Sequence, residues 1–283
     1  MSFKNFLKLI KETFVEWKKF QPFITGAALA YYIIFSIGPL LVITTFILGL
    51  IFGKQTAETN LISDLSDVVG KQMAESVNWI IETVTDSPPK LITLIISGPI
   101  LISGGTVLFI QSRRLLNKIW EVEYKSPKGL KGVARSYLYA LIMIIVLGSL
   151  FFLLVIKNFF VGDLSRILHS SIDLPSYVIT TLDVFLSYVL LAALFAIIYK
   201  ILPEQSLKWS DVIVGGLFSS FLFLIVQYLV GLYITTTELG NAYGAMGNFS
   251  IFVVWFFYSA IVFLFGAVFT KLYAQQYGSL KKG

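Results

Sequence analysis

The sequence predicts an all-α, polytopic membrane protein with six transmembrane helices, both termini cytoplasmic, and helices 1 and 2 kinked at Ser/Gly/Pro. Three observations carry this. Hydrophobic residues make up 57% of the 283 and charged residues 13%, where a soluble domain has about 25% charged. Six runs are long enough to cross a hydrocarbon core of about 30 Å, which takes roughly 20 residues at 1.5 Å each. Lysine and arginine, finally, fall overwhelmingly in alternate loops.

Residues 1–20 come first. Phe3, Phe6, Leu7, Ile10, Phe14 and Trp17 recur at three- and four-residue steps with Lys4, Lys8 and Lys11 between them, the pattern of an amphipathic helix lying on the cytoplasmic interface. The membrane domain is expected over 21–275, with spans at 24–52, 91–111, 137–156, 177–199, 212–234 and 249–270. Its first apolar run begins near Pro22 and is too long for the core of a signal peptide, so it is expected to remain as a span. Between spans 1 and 2, residues 54–90 form an extracytoplasmic insertion. There Leu61, Leu65, Val68, Met73, Val77, Ile80 and Val84 keep a helical period with Glu58, Asp64, Asp67, Glu75, Glu82 and Asp86 interspersed. A basic cytoplasmic tail covers 276–283.

Charge sets the orientation. The N-terminal segment carries five Lys/Arg, the loop after span 2 seven, the loop after span 4 two and the tail three, against five on the opposite side. By the positive-inside rule both termini are cytoplasmic. The same bias accounts for the net charge of +6. It implies attraction to anionic lipid headgroups rather than to nucleic acid, because no segment outside the spans is large enough for an RNA-binding module.

Two helix breaks stand out. Ser36, Gly38 and Pro39 interrupt span 1, and Ser97, Gly98 and Pro99 interrupt span 2. Proline removes one backbone hydrogen bond, and in hydrocarbon the freed carbonyl needs a neighbouring helix, a hydroxyl or water. Both breaks are therefore expected to face protein or a cavity. Two readings stand: kinks that adjust packing, or the discontinuous helices of a substrate path. Asp183, within span 4, is an expensive intramembrane carboxylate, either paired locally with Thr180, Thr181 or Ser187 or functional. In span 5, Gly216, Ser220, Gln227 and Gly231 share a face, as do Ser259, Gly266 and Thr270 in span 6. Such stripes let backbones approach and polar groups bond across helices, with a polar lining as the other reading.

No enzyme chemistry assembles. Cysteine is absent and the sole histidine, His169, lies in an outer loop. No second aspartate faces Asp183 in the spans, and no base adjoins a candidate nucleophile. The acids of 58–86 are spaced as a solvated face rather than as a metal site. No cofactor or metal is predicted, and no Gly-x-x-x-x-Gly-Lys-[Ser/Thr] loop is present.

Three stretches carry a resemblance: "ALAYYIIFSIGPLL" (Ala28 to Leu41), "LLNKIWEVE" (Leu115 to Glu123) and "AYGAMGNFSIFVVWFFYSAIVFLFGAVF" (Ala242 to Phe269). In order and spacing nearly the whole chain resembles the YihY/BrkB family of inner-membrane proteins, with Tyr243, Gly244, Gly247, Trp255, Tyr258 and Gly266 at the expected positions of the last stretch. The resemblance implies six helices in a cell membrane and a link to virulence. The family was formerly described as ribonuclease BN, but no metal constellation for a nuclease is visible here. Many members of that family carry a glutamate just after the final Gly-Ala, where this chain has Val268. If that acid couples ions, this chain uses another group, such as Asp183, or none.

The expected function is a transporter or lipid-translocating protein for an anionic or lipid-like substrate, without its own ATPase and not an enzyme. A non-transporting envelope scaffold is the alternative. The expected path is Ser36, Gly38, Pro39, Ser97, Gly98, Pro99, Asp183, Ser220, Gln227, Tyr243, Gly247, Trp255 and Tyr258. Arg113, Arg114 and Lys118 are expected to contact anionic headgroups. Expected partners are membrane lipids, a second copy of the chain or an envelope protein, in a multi-pass setting in the cytoplasmic membrane.

Overall fold

A computed structural model describes residues 2–35, 91–123, 138, 176–237 and 247–281. Among the described residues there are six helices and no strand: α1 (Phe3–Lys18), α2 (Pro22–Phe35), α3 (Leu91–Ile119), α4 (Ser176–Ile201), α5 (Trp209–Thr236) and α6 (Gly247–Gln276). Among the described residues three helical stretches are long and apolar enough to cross a membrane: Val184–Ile201, Trp209–Thr236 and Phe249–Gln276. They coincide with expected spans 4, 5 and 6. Expected span 3 and the insertion at 54–90 lie outside the described residues, apart from Leu138.

The α1–α2 corner is sharp for a local reason. Gln21 adopts a positive φ of 47°, and Pro22 opens α2 at the position where its missing N–H costs nothing. Thr25 closes the corner, donating its backbone N–H to the Gln21 carbonyl and its hydroxyl to the Phe20 carbonyl at 3.0 and 2.8 Å.

The core is α4, α5 and α6. α5 packs on α4 and α6, and α1 lies along the C-terminal half of α6. Small residues on α5 set this geometry. A Cβ at Gly216 would strike the Ala192 carbonyl oxygen of α4, and one at Gly215 would strike Thr270 of α6. Gly266 gives room to the buried Tyr199 and Ser219 in the same way. The Tyr199 hydroxyl donates to the Phe263 carbonyl at 2.9 Å and shares a 3.1 Å hydrogen bond with Ser219 Oγ, joining all three helices. Around this junction pack Phe195, Phe223, Trp255, Leu264 and Val268.

α3 continues through Pro99, whose side chain is exposed rather than buried in protein. The reason is reach: the described side chains of α3 become buried from Thr106 onward, and Pro99 lies beyond that contact. α1 covers the expected amphipathic stretch and has a buried and an exposed side. It buries Leu9, Thr13 and Trp17 against the bundle while Phe3, Leu7, Phe14 and Val15 stay exposed beside Lys4, Lys11 and Lys18.

Candidate functional site

The charged residues of the described chain gather at one end of the bundle. Lys271, near the end of α6 and 3% exposed, reaches Glu121 at 2.8 Å and Glu16 at 3.4 Å. Glu16 also accepts from Lys19 at 2.6 Å. That hydrogen bond, with Lys271 adding to it, holds the Glu16 carboxyl below its ordinary value against the opposing effect of partial burial. Gln276 donates to Glu12 at 2.5 Å, so α1 is pinned to α6 twice.

Glu121 is positioned by an unusual helix end. Val122 N–H donates to the Asn117 carbonyl and Glu121 N–H to the Lys118 carbonyl, the pairing that closes a helix around a left-handed residue, usually glycine. Here that residue is Glu121, with φ 57°. A left-handed L-residue costs roughly 1–2 kcal/mol, and the conformation directs this carboxylate onto Lys271.

The loop between α4 and α5 docks on the same end. Arg113 donates to Glu204 at 2.9 Å, and Glu204 N–H donates to Asn117 Oδ1 at 2.7 Å. Lys200 donates to the Leu207 carbonyl. The tail folds back, with the Ser279 N–H and hydroxyl both donating to the buried carboxylate of Asp211 in the first turn of α5. The N-terminal helix, the end of α3, the 202–208 loop and the tail thus meet, as the charge count requires of segments that share a side.

Beside this cluster α2 and α3 enclose an open cleft of about 270 Å³, lined by Thr25, Ala28, Leu29 and Tyr32 of α2 and Gln111, Arg114, Leu115 and Lys118 of α3. Its cations lie one helical turn apart, above an apolar wall of Ala28, Leu29 and Leu115. A phosphate or carboxylate oxygen fits the first, and an acyl chain or apolar ring the second. Of the three basic residues expected to contact headgroups, Arg114 and Lys118 line the cleft and Arg113 bonds Glu204.

None of the expected path residues that the structure describes lines this cleft. Ser36, Gly38, Pro39 and Tyr243 lie outside the described residues, as do the side chains of Ser97, Gly98 and Asp183 within α3 and α4. Ser220 bonds the Leu217 carbonyl of its own helix. Gln227 and Trp255 flank, with Phe223 and Ser259, a crevice between α5 and α6 that has no room for water. Gly247 opens α6 and is buried, and Tyr258 is exposed. Among the described residues no group of three or more His, Cys, Asp or Glu is placed to hold a metal ion.

Lys271, Glu16, Glu121, Asn117 and Tyr199 were not expected at a site. Their partners lie on distant helices, and the only sequence signals were a lysine inside the last apolar helix and an asparagine between basic residues.

The family described as Virulence factor BrkB matches residues 14–283. Among similar proteins, a "UPF0761 membrane protein" of Janthinobacterium sp. (strain Marseille) is 27% identical over 209 residues, 68% of this chain and 43% of that protein. Another, of Halorhodospira halophila (strain DSM 244 / SL1), is 24% identical over 249 residues, 87% of this chain and 53% of that protein. A third, of Azoarcus sp. (strain BH72), is 25% identical over 271 residues, covering 94% and 63%. The chain spans about half the length of the curated relatives it matches. No solved structure matches it.

Proposed function

The chain belongs to the Virulence factor BrkB family, and from that premise we propose that it is a multi-pass cytoplasmic-membrane protein that translocates an anionic, lipid-like substrate without an ATPase of its own. One observation carries the reading: Arg114 and Lys118 stand over an apolar wall in the α2–α3 cleft, at the end where the basic segments converge. A headgroup phosphate held by two cations with its chain against Leu29 and Leu115 uses both halves of that lining. The basic convergence supports reading this end as the one at the cytoplasmic leaflet. The exposed flank of α1, Phe3, Leu7 and Phe14 beside its lysines, suits the same leaflet.

The test is reconstitution in vesicles carrying a fluorescent anionic phospholipid, with movement between leaflets followed by quenching of the outer one. Wild type is expected to equilibrate the label, and Arg114→Gln with Lys118→Gln to slow it at least tenfold while remaining folded. Vesicles in which wild-type protein moves neither this lipid nor soluble organic anions would overturn the reading. They would favour an envelope scaffold, for which the close packing of α4–α6 also speaks. Pro39→Ala and Pro99→Ala separate the two: a scaffold changes in stability and assembly, a translocator loses flux while folded.

A further inference from the structure

α3 carries a second polar face that the cleft does not use. Thr106, Arg113, Asn117 and Trp120 follow one another at separations of 7, 4 and 3 residues, which stacks them on one side of the helix. Gln111, Arg114 and Lys118, the polar residues of the cleft, lie on another side. Thr106, Asn117 and Trp120 are at most 7% exposed. Each of the four nonetheless has a buried polar atom with no hydrogen-bond partner among the described residues: Thr106 Oγ1, Arg113 Nε, Asn117 Nδ2 and Trp120 Nε1.

Buried polar atoms are nearly always paired, and a row of exceptions asks for a partner. Three of the four are N–H donors that cannot accept, so the missing partners are acceptors. The row spans 14 residues, about 21 Å along the helix, too far for one bound ion. Pro99 lies seven residues before Thr106 on the same face and is exposed, as is Ile95. Proline at 99 withdraws the N–H that the Ile95 carbonyl would otherwise accept, so an unmet acceptor continues the row upward.

The contacts of this face are separable ones. Glu204, on the 202–208 loop, holds Arg113 and Asn117, and Glu121 holds Lys271. We propose that this face of α3 is a water-filled seam in an open state of the protein: α3 parts from the 202–208 loop, and a file of waters satisfies Asn117, Arg113 and Thr106 and reaches Pro99. In the membrane such a seam is a route for a hydrated polar group. It stands independently of whether the α2–α3 cleft holds a headgroup.

The chain has no cysteine, so single thiols report directly. Thr106→Cys and Ile225→Cys are compared in lipid nanodiscs with a charged, membrane-impermeant thiol reagent, which modifies only thiols that meet water. Ile225 stands 14 residues from Asp211 on α5, as Thr106 does from Trp120 on α3. In the closed structure Ile225 is 40% exposed and Thr106 only 2%. The seam predicts the reverse order of reactivity, with Thr106→Cys modified at least tenfold faster. Should that variant fail to fold, radiolytic hydroxyl footprinting of the unaltered protein supplies the answer, since Trp120 and Trp255 are equally buried at 7% and 8%. Trp120 is expected to be oxidised several-fold faster than Trp255, whose crevice has no room for water. An unreactive Thr106→Cys, or equal oxidation of the two tryptophans, overturns the seam.

Discussion

α4–α6 and α1–α3 share one apolar core but differ in the polar joints that fasten them. Between α4, α5 and α6 the joints are backbone approach at Gly216, the room that Gly266 leaves for Ser219 and Tyr199, and the uncharged hydroxyl of Tyr199. α1 and α3 also bury apolar side chains, among them Leu9, Trp17, Leu116 and Ile119, and add charged and amide joints that the first unit lacks: Glu16 and Glu121 on Lys271, Glu12 on Gln276, and Arg113 and Asn117 on Glu204. Close packing without charge fixes one geometry and is indifferent to salt and pH. Ion pairs near water are screened by salt and titrated by acid, so the second kind of joint can be undone without unfolding the first.

The largest expected effect breaks the charged joint. Glu16→Gln with Glu121→Gln strands the Lys271 ammonium, and leaving a buried charge unpaired costs about 3–5 kcal/mol. Lys271→Met should cost less, because the Glu121 side chain is 73% exposed and turns to water. Unfolding midpoints in detergent give the ranking; a costlier Lys271→Met would mean that the ammonium is not the group needing compensation. Next comes the dry joint. Gly216→Ala forces a methyl against the Ala192 carbonyl and is expected to lose about 1–3 kcal/mol, with the same loss in low and high salt. Salt dependence there would erase the contrast between the regions.

A finer comparison uses Glu121 alone. Alanine and glycine both remove the bridge, but only glycine accepts the left-handed turn freely, so Glu121→Gly should be more stable than Glu121→Ala by about 1 kcal/mol. Equal stabilities would show that the turn relaxes once the bridge is gone. The smallest effect is acid release of α1. The Glu16 carboxyl is held below its ordinary value of 4.5. Its contribution is therefore complete above that value and disappears as pH falls through the lower, folded one. Limited proteolysis below pH 4.5 should cut near Lys18 and Lys19 before the core helices open, and Glu16→Gln should abolish the pH dependence.

Much of the core was legible because a hydrocarbon solvent imposes length and apolarity on any span. The ranges expected for spans 4 to 6 fall on α4, α5 and α6, and the stripes through Gly216 and Gly266 mark real close approaches. The three-residue and four-residue steps of Phe3 to Trp17 likewise gave α1, though not the face it buries on α6. The candidate site was harder to see. Arg113 and Arg114 are neighbours in sequence yet point about 100° apart on a helix, and nothing local tells that Glu204 takes Arg113. Lys271 reads as a flanking charge of the last span. Its burial depends on two glutamates that the chain supplies from 255 and 150 residues away.

The approach of Gly216 to the Ala192 carbonyl has one more implication. Helices that touch backbone to backbone have no side-chain layer to slide on, so α4 and α5 are geared together and α6 is meshed with them at Gly266. Loosening the charged joints at Lys271 would accordingly leave the mutual registry of α4, α5 and α6 unchanged.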